Sequence, residues 1–291
     1  MDARALYSRG NFSRMCVDAG VAADFYEPVE EAITKALLRL TTIDSRRWID
    51  FLLDILPRLK NIDFTDLPHL HQQMLNMFYV TIWLEAISYF SEEAVRENLY
   101  ALADSPVMLN ELLALLQYCK DQIDFIDTPS SLPYECPLDV HCTYSQRQLL
   151  VALDYINFGA MRQGVLYLPD KKTDVFLITL NKSDKEYSPT TMYNDYAVNS
   201  SLFHWQSQST TSADSPTGQR YIHHKERSGR VLLFVRELSH VPGKPAETMP
   251  YTFLGEAEYV SHNGSKPMNI VWRLCKEIPA KYLRKVQQVM G

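Results

Sequence analysis

Three sets of side chains in this sequence have residue types and spacings that suggest chemistry on phosphate esters or metals. The first is "HHK" at residues 223–225, which begins like the H-x-K-x-x-x-x-D pattern of nucleases that use a histidine nucleophile. The aspartate of that pattern would fall at position 230, which is Arg230. The pattern is therefore incomplete, and the basic end of a strand explains these residues better.

The second set is Asp170 followed by "LNK" at residues 180–182, a spacing found in metal-dependent nucleases that place an aspartate and a D/E-x-K tripeptide on neighbouring strands. Such a site needs two carboxylates to hold Mg²⁺, while the lysine stabilises negative charge on the phosphate. Leu180 stands where the second carboxylate is required. A charged hairpin turn at Asp170, Lys171 and Lys172 is the simpler interpretation.

The third set is Cys136, His141 and Cys142, with Asp139 as the nearby fourth candidate. Structural zinc sites are normally closed by four ligands at spacings such as C-x2-C, whereas the spacing here is C-x5-C. We therefore assign no metal ligands, no cofactor and no catalytic residues. The sequence has no G-x-x-x-x-G-K-[ST] loop, which argues against ATP hydrolysis, and an enzymatic role stays open only as a nuclease with an unrecognised site.

A cluster of cations in the second half is a candidate for binding a polyanion. Its only acid is Glu226, and its basic residues are Arg220, His223, Lys225, Arg227, Arg230 and Arg236. The stretch "HKERSGR" predicts the tip of a hairpin, from which long cations can reach a phosphate backbone. A solvated, solubilising turn is the competing interpretation.

The stretch "SLFHWQSQSTT" at residues 201–211 predicts a strand over 202–210. Because side chains alternate between the faces of a strand, Phe203 and Trp205 are expected in the core. The opposite face then carries a polar row: Leu202, His204, Gln206, Gln208 and Thr210. Glutamine can bond to adenine and histidine can stack against bases, so this row is a candidate for contact with nucleic acid. A structural network of polar side chains is an equally good interpretation.

The loop over residues 188–199 has the composition of a phosphate-binding or base-stacking segment, and Tyr193 and Asn194 are its candidate contacts. A tyrosine-rich packing corner is the alternative.

Composition and charge place the chain among globular proteins of two domains, since 46% of its 291 residues are hydrophobic and 22% are charged. Residues 1–140 carry 11 Lys/Arg against 22 Asp/Glu, and residues 141–291 carry 18 against 13. The second half is therefore the better candidate for a polyanionic partner. No apolar run approaches the roughly 18 residues that span a bilayer, and the five scattered cysteines indicate no disulfide framework. We expect a cytoplasmic protein without a membrane partner.

Periodicity predicts an α+β protein. Apolar residues at helical spacing indicate an all-helical domain over residues 1–126, and a proline-rich linker follows at 127–144. Residues 145–291 begin with a helix and then carry short stretches rich in β-branched and aromatic residues, which predict a small β-barrel or bent-sheet domain with flanking helices. Seven strands are predicted: "GVLYL", "TDVFLITL", "SLFHWQSQS", "RYIHH", "RVLLFVREL", "YTFLGEAEYV" and "NIVWRL".

The segments "GVLYLPDKKTDVFLITL", "LFHWQSQSTTSADSPTGQRYIHH", "LLFVRE" and "YTFLGEAEYVSH" resemble a domain of unknown function at the C-terminus of bacterial superfamily-2 helicases. Those proteins often carry a phospholipase-D-like nuclease domain and are associated with restriction and phage defence. The segments "DSRRWIDFLL" and "ECPLDVHCTYS" are similar to the helical region that precedes this domain. The resemblance thus covers nearly the whole chain.

Together with the cation cluster and the polar row, the resemblance favours a non-catalytic module that recognises DNA, duplex or single-stranded, in a defence-type helicase or helicase–nuclease system. Its protein partner would be such an enzyme or the remainder of the same polypeptide, and the acidic helical half would dock onto protein. A protein-interaction or regulatory adaptor without nucleic-acid contact is the alternative.

Overall fold

The chain forms two compact units, Met1–Phe158 and Gly159–Gly291, which we call the helical unit and the sheet unit. The computed structural model describes residues 2–83, 91–158, 164–180, 195–280 and 282–283. Residues 127–144, predicted as a linker, lie in the helical unit. Residues 145–158, predicted to begin the second domain, belong to the helical unit as well.

Eight α-helices are described in the helical unit, which agrees in outline with the predicted helical domain. They are α1 Ala3–Tyr7, α2 Phe12–Asp18, α3 Glu30–Leu40, α4 Arg46–Ile55, α5 His69–Ile82, α6 Glu92–Ala103, α7 Pro106–Asp121 and α8 Gln146–Ala152. Short strands follow α7: β1 Thr128–Pro129, β2 Asp139–Val140 and β3 Thr143–Tyr144. Within the described residues, no helix taken alone is long and apolar enough to cross a membrane, although α6 and α7 together, bent by 97°, meet the criteria of length and composition.

Side-chain caps explain where several of these helices begin. Ser91 accepts a hydrogen bond from the Ala94 amide at 3.1 Å, and Ser145 forms a capping box with Gln148. Helix α4 is capped by Ser45, whose hydroxyl oxygen accepts from the Trp48 amide at 3.1 Å. Asp44, the residue before this cap, makes different contacts.

Asp44 instead connects the start of α4 to β3. One of its carboxylate oxygens accepts a hydrogen bond from the Thr143 amide at 2.6 Å, and the Thr143 hydroxyl donates to the other. Burial raises the pKa of Asp44 to about 7, and the negative charge of Asp127 acts in the same direction. The charged form of Asp44 is therefore disfavoured in the folded protein.

The stability of the helical unit should fall as pH rises towards 8. The folded pKa of Asp44 lies above its unfolded value, so its contribution is complete below about pH 4 and is lost as the pH rises to about 7. Asp44→Asn mimics the protonated side chain, so the excess of its free energy of unfolding over that of the wild type should be about 3 kcal/mol larger at pH 8 than at pH 5. Urea denaturation at both pH values measures this difference. If the free energies of unfolding of Asp44→Asn and the wild type differed by the same amount at both pH values, the raised pKa of Asp44 would be contradicted.

The sheet unit contains an open mixed sheet. Its described strands are β4 Val165–Leu168, β5 Thr173–Thr179, β6 Tyr196–Ala197, β7 Leu202–Gln206, β8 Arg230–Arg236, β11 Tyr251–Asn263 and β12 Asn269–Leu274. Their order is β4-β5-β8-β11-β12-β7-β6, with β5 and β8 parallel and the other pairs antiparallel. A separate hairpin joins β9 His240–Val241 to β10 Lys244–Thr248.

The sheet does not close, so the predicted barrel is wrong and the bent-sheet alternative fits better. Strand β11 holds the sheet together, because its first half pairs with β8 and its second half with β12. Its pairing shifts register between Phe253 and Gly255 and again between Tyr259 and Ser261. Such bulges bend a strand and increase its twist. Gly255 takes a φ of 90°, a conformation that favours glycine.

Two local predictions in this unit are wrong. The segment "RYIHH" is not a strand: most of it lies in helix α9, Pro216–Ile222. Ser215 caps α9 by accepting from the Gly218 amide at 3.1 Å, and Pro216 occupies the first helical position, a start signal that the sequence contains. The segment "HKERSGR" is not a hairpin tip, since it connects α9 to β8, which runs parallel to β5.

Helix α9 lies on one face of the sheet, which we call the inner face. Tyr221 of α9 is 2% exposed, and its ring centroid lies 5.2 Å from Phe176, 5.6 Å from Trp205 and 6.4 Å from Trp272. These aromatic contacts form the centre of the unit's apolar core. A Cβ on Gly218 would come within 2.1 Å of the Ser212 carbonyl oxygen, so this close approach requires glycine.

An ion pair also attaches α9 to the inner face. Arg220 donates to both carboxylate oxygens of Asp174 on β5, at 2.9 to 3.2 Å, and its guanidinium lies 4.0 Å from the centre of the Tyr167 ring. The Asp174 side chain is 4% exposed. Burial raises the pKa of Asp174 in spite of the hydrogen bonds from Arg220, so the carboxylate depends on its cation.

Removing Arg220 should therefore destabilise the sheet unit. We expect Arg220→Ala to lower its free energy of unfolding by about 3 kcal/mol, because Asp174 would remain buried without a counter-charge. Lys225→Ala is the control, since Lys225 forms an exposed ion pair and should lose less than about 1 kcal/mol. Urea denaturation measures both losses. If both variants lost the same free energy of unfolding, the ion pair between Arg220 and Asp174 would not be important for stability.

Candidate nucleic-acid interface

The face of the sheet opposite α9, which we call the outer face, carries polar side chains on β6, β7, β12 and the second half of β11. On β7, Phe203 and Trp205 are buried while Leu202, His204 and Gln206 are partly exposed, which confirms the predicted alternation over the strand. Strand β12 alternates in the same way. The cross-strand pairs then define a polar face: Tyr196, His204, Gln206, Ser261, Asn263, Asn269 and Arg273.

Three rows cross this polar face at right angles to the strands. The first row joins Leu202, Arg273 and Glu258; the second joins Tyr196, His204, Val271 and Ser261; the third joins Gln206, Asn269 and Asn263. Neighbouring rows lie about 7 Å apart, because they are two residues apart along β7 and β12, while the bulge on β11 places Glu258 and Ser261 three residues apart. The cations, the aromatic rings and the amides are thus ordered along the strands.

The amide row is held by hydrogen bonds. The Gln206 side chain donates from Nε2 to Asn269 Oδ1 at 3.0 Å, and the Gln206 backbone amide donates to Asp195 Oδ1 at 2.9 Å. Asn269 Nδ2 donates to the Asn263 carbonyl oxygen at 3.4 Å. Gln206 Oε1 accepts no hydrogen bond from the residues that the structure describes. An oriented acceptor is therefore left on a partly exposed surface.

The aromatic row contains a stacked pair. The rings of Tyr196 and His204 lie 4.8 Å apart at an interplanar angle of 15°. Their separation matches the spacing of neighbouring strands, so the two rings stand side by side on the sheet. This arrangement fixes the orientation of His204, which the sequence singled out.

Arg273 is the cation of the polar face, and its side chain is exposed. Its guanidinium forms no ion pair or hydrogen bond within the described parts of the chain. In the strand register it lies opposite Glu258 of β11, whose carboxylate pairs with the Lys225 ammonium at 2.8 Å. Lys225 thus reaches the outer face from the turn that follows α9, and two cations flank one carboxylate.

Arg227 and Arg230 extend this basic region. Arg230 Nε lies 3.1 Å from Glu256 Oε1, and the Arg230 amide donates to the Lys172 carbonyl oxygen at 2.9 Å. The turn before β5, with its two lysines, therefore lies beside the turn after α9. Arg227 is exposed. We call Lys225, Arg227, Arg230 and Arg273 the cationic rim.

Several predicted contacts lie elsewhere. Arg220 is on the inner face with Asp174, and His223 Nδ1 lies 2.9 Å from Glu226 Oε2 within the turn. Strand β7 ends at Gln206, so Gln208 and Thr210 are not part of its polar row as predicted, and Thr210 is exposed in the following turn. Tyr193 and Asn194 fall outside the described residues.

The geometry gives the enzymatic motifs little support. Asp170 precedes β5 and Leu180 follows it, so a seven-residue strand of roughly 20 Å separates them. In the "HHK" segment, His224 is buried against Trp272, and burial lowers the pKa of its ring. His224 and His223 therefore have different surroundings and do not share a site.

The segment that contains Cys136, Asp139 and Cys142 forms a buried polar network. Asp127, Asp139 and Cys142 bring potential metal-binding atoms within 4.8 Å of one another. However, Arg46 donates to Asp127 at 2.6 Å and Arg47 lies 2.7 Å from Asp139, so guanidinium groups already compensate both carboxylates. Burial raises the pKa of Cys142, which favours its neutral thiol over the thiolate that a metal would require.

Arg273 and Asn269 were not among the contacts expected from the sequence. The stretch "NIVWRL" has an apolar–polar alternation in which Ile270, Trp272 and Leu274 face the core. This alternation, with its period of two residues, could have indicated that Asn269 and Arg273 lie on the face opposite the core. The pairing with β7 could not have been predicted, because it joins segments about 65 residues apart.

Comparison with known proteins identifies a family whose match extends from the last part of the helical unit through most of the sheet unit. Residues 138–286 match the family described as a domain of unknown function, DUF3427, and this match covers just over half of the 291 residues. No curated protein matches the chain. The chain belongs to the DUF3427 family.

Proposed function

We propose that the sheet unit binds DNA through the polar face and the cationic rim. The observation that carries this proposal is the order of side chains on one partly exposed face, where a cation, a stacked aromatic pair and oriented amides occupy successive rows. Cations bind phosphates, aromatic rings stack on bases, and amides bond to base edges. No catalytic group is needed for such a role.

The ion pairs of the cationic rim are compatible with binding. Lys225 and Glu258 have side chains that are 59% and 39% exposed, so their pair adds little to stability. A phosphate can therefore replace Glu258 as the partner of Lys225 at low cost. Arg227 and Arg273 form no ion pair with the described residues.

The resemblance to the C-terminal region of superfamily-2 helicases supports a more specific role. We propose that the unit keeps a defence-type helicase, or a helicase–nuclease, on its DNA by raising the effective concentration of the substrate. The enzyme would be a separate partner or the remainder of the same polypeptide. The acidic helical unit would dock onto protein, and the module would act in the cytoplasm.

A protein-interaction adaptor is the second candidate. The observation that favours it is the internal neutralisation of the predicted cations, since Arg220, His223, Lys225 and Arg230 each face a carboxylate. An adaptor would bind no DNA even at low salt. A titration with DNA at several salt concentrations separates the two candidates.

Removing three cations of the rim should weaken binding. We expect the combined change Lys225→Ala, Arg227→Ala and Arg273→Ala to lower affinity for a 20-nucleotide DNA strand by at least tenfold at 50 mM salt. It should also reduce the slope of log affinity against log salt by about 2, since each phosphate contact contributes about 0.7. Fluorescence anisotropy at several salt concentrations measures both. Lys244→Ala, a cation in the β9–β10 hairpin, is the control. An unchanged affinity and slope would remove the rim from the interface.

Neutralising Glu258 should have the opposite effect. Glu258→Gln removes a negative charge that competes with phosphate for Lys225, so affinity for the same strand should rise about threefold. Glu247→Gln is the control, because it changes the net charge equally but next to Lys244 in the β9–β10 hairpin. Equal effects of the two changes would indicate a response to net charge alone.

A further inference from the structure

We infer that the polar face binds unpaired bases and therefore selects single-stranded over duplex DNA. This inference rests on the proposed function and names the form of DNA that the same surface takes. Three features carry it: the width of the face, the attachment of its hairpin tip, and the chemistry of its amide row.

The width of the face excludes it from a groove of duplex DNA. The polar face covers four adjacent strands, β6, β7, β12 and β11. Three spacings of about 4.8 Å separate the outer two, so their axes lie about 14 Å apart before side chains are added. The major groove is about 12 Å wide and admits a helix or a two-stranded ribbon. A four-stranded face is too broad to reach the base edges inside it.

The tip of the β11–β12 hairpin does not project as a free ribbon that could enter the groove. Ser207 and Met268 exchange hydrogen bonds at 2.9 Å: the Ser207 amide donates to the Met268 carbonyl oxygen, and the Met268 amide donates to Ser207 Oγ. The Lys266 amide donates to the Thr211 carbonyl oxygen at 3.2 Å, and the Ala213 amide donates to Ser265 Oγ at the same distance. The tip is therefore attached to the segment that follows β7.

The amide row offers the groups that an unpaired base requires. Gln206 uses one N–H for Asn269 and retains Oε1 and a second N–H, which together form a donor–acceptor edge. Every base has adjacent donor and acceptor groups on its Watson–Crick edge, and in duplex DNA these groups are already paired. The amide row can therefore bind an unpaired base of any type.

The aromatic row lies about 7 Å from the amides and the cation Arg273 lies one row further. Bases of a single strand that reach the amide row would pass the Tyr196 and His204 rings, while the phosphates stay near the cationic rim. Contacts of this kind to rings and amides are tolerant of sequence. We therefore expect selection of strandedness and little selection of sequence.

The test compares three fluorescent probes with the full chain at 50 and 200 mM salt. The probes are a 20-nucleotide single strand of mixed sequence, its duplex, and a 20-unit abasic strand that keeps the phosphates. We expect the single strand to bind at least tenfold more tightly than the other two. Duplex binding as tight as single-strand binding would overturn the inference while leaving the proposed function intact. Absence of binding to all three at 50 mM salt would overturn both.

A variant assigns the selectivity to the amide row. We expect Gln206→Ala with Asn269→Ala to lower affinity for the single strand about tenfold, with an unchanged salt slope and unchanged affinity for the abasic strand. Gln117→Ala, an exposed amide on α7, is the matched control. Equal losses for the single and abasic strands would overturn the role of the amides. The probe comparison on the wild type decides the question even if this variant fails to fold.

Discussion

Strand β11 is the constraint on which the sheet unit depends. Its first half pairs with β8, which runs parallel to β5, and its second half pairs with β12, which brings in β7. A bulge in each half bends the strand. Glu256 and Glu258 alternate with the core residue Ala257 along this strand, so the strand that organises the core also carries the acids of the outer face. Core packing and the arrangement of surface charge are therefore set by one register.

The two faces of the sheet use arginine in different ways. On the inner face, Arg220 has a bidentate, largely buried partner and serves stability. On the outer face, Arg273 is exposed and forms no ion pair or hydrogen bond with the described residues. Arg230 is intermediate, with an acid beside it and part of its side chain in solvent. Burial and pairing, more than residue type, decide which of these cations remains available to a ligand.

Periodicity and composition predicted the helical unit in outline and most strands of the sheet unit. The alternation that placed Phe203 and Trp205 inside and His204 and Gln206 outside holds over β7, because the pleat of a strand is a local property. The errors about the barrel and about the availability of the cations concern non-local structure, whereas the error at "RYIHH" is local. An open sheet cannot be distinguished from a barrel without knowing which edges pair, and "RYIHH" has the composition of a strand although Ser215 and Pro216 start a helix. The ion pairs of the predicted cations depend on residues from other strands, so the sequence could not show which cations remain free to bind a ligand.

The parallel pairing of β5 with β8 has a consequence for the synthesis of this protein. Strand β5 leaves the ribosome with apolar residues on both faces, but its partner β8 begins only at Arg230, about fifty residues later. At about 5–20 residues per second, the edge of β5 would wait several seconds for its partner. During that interval the hairpin partner β4 covers one edge and the other stays open to foreign strands. The nascent chain is thus most exposed to misassembly before α9 and β8 emerge, and a chaperone acting on this protein would have its main effect in that window.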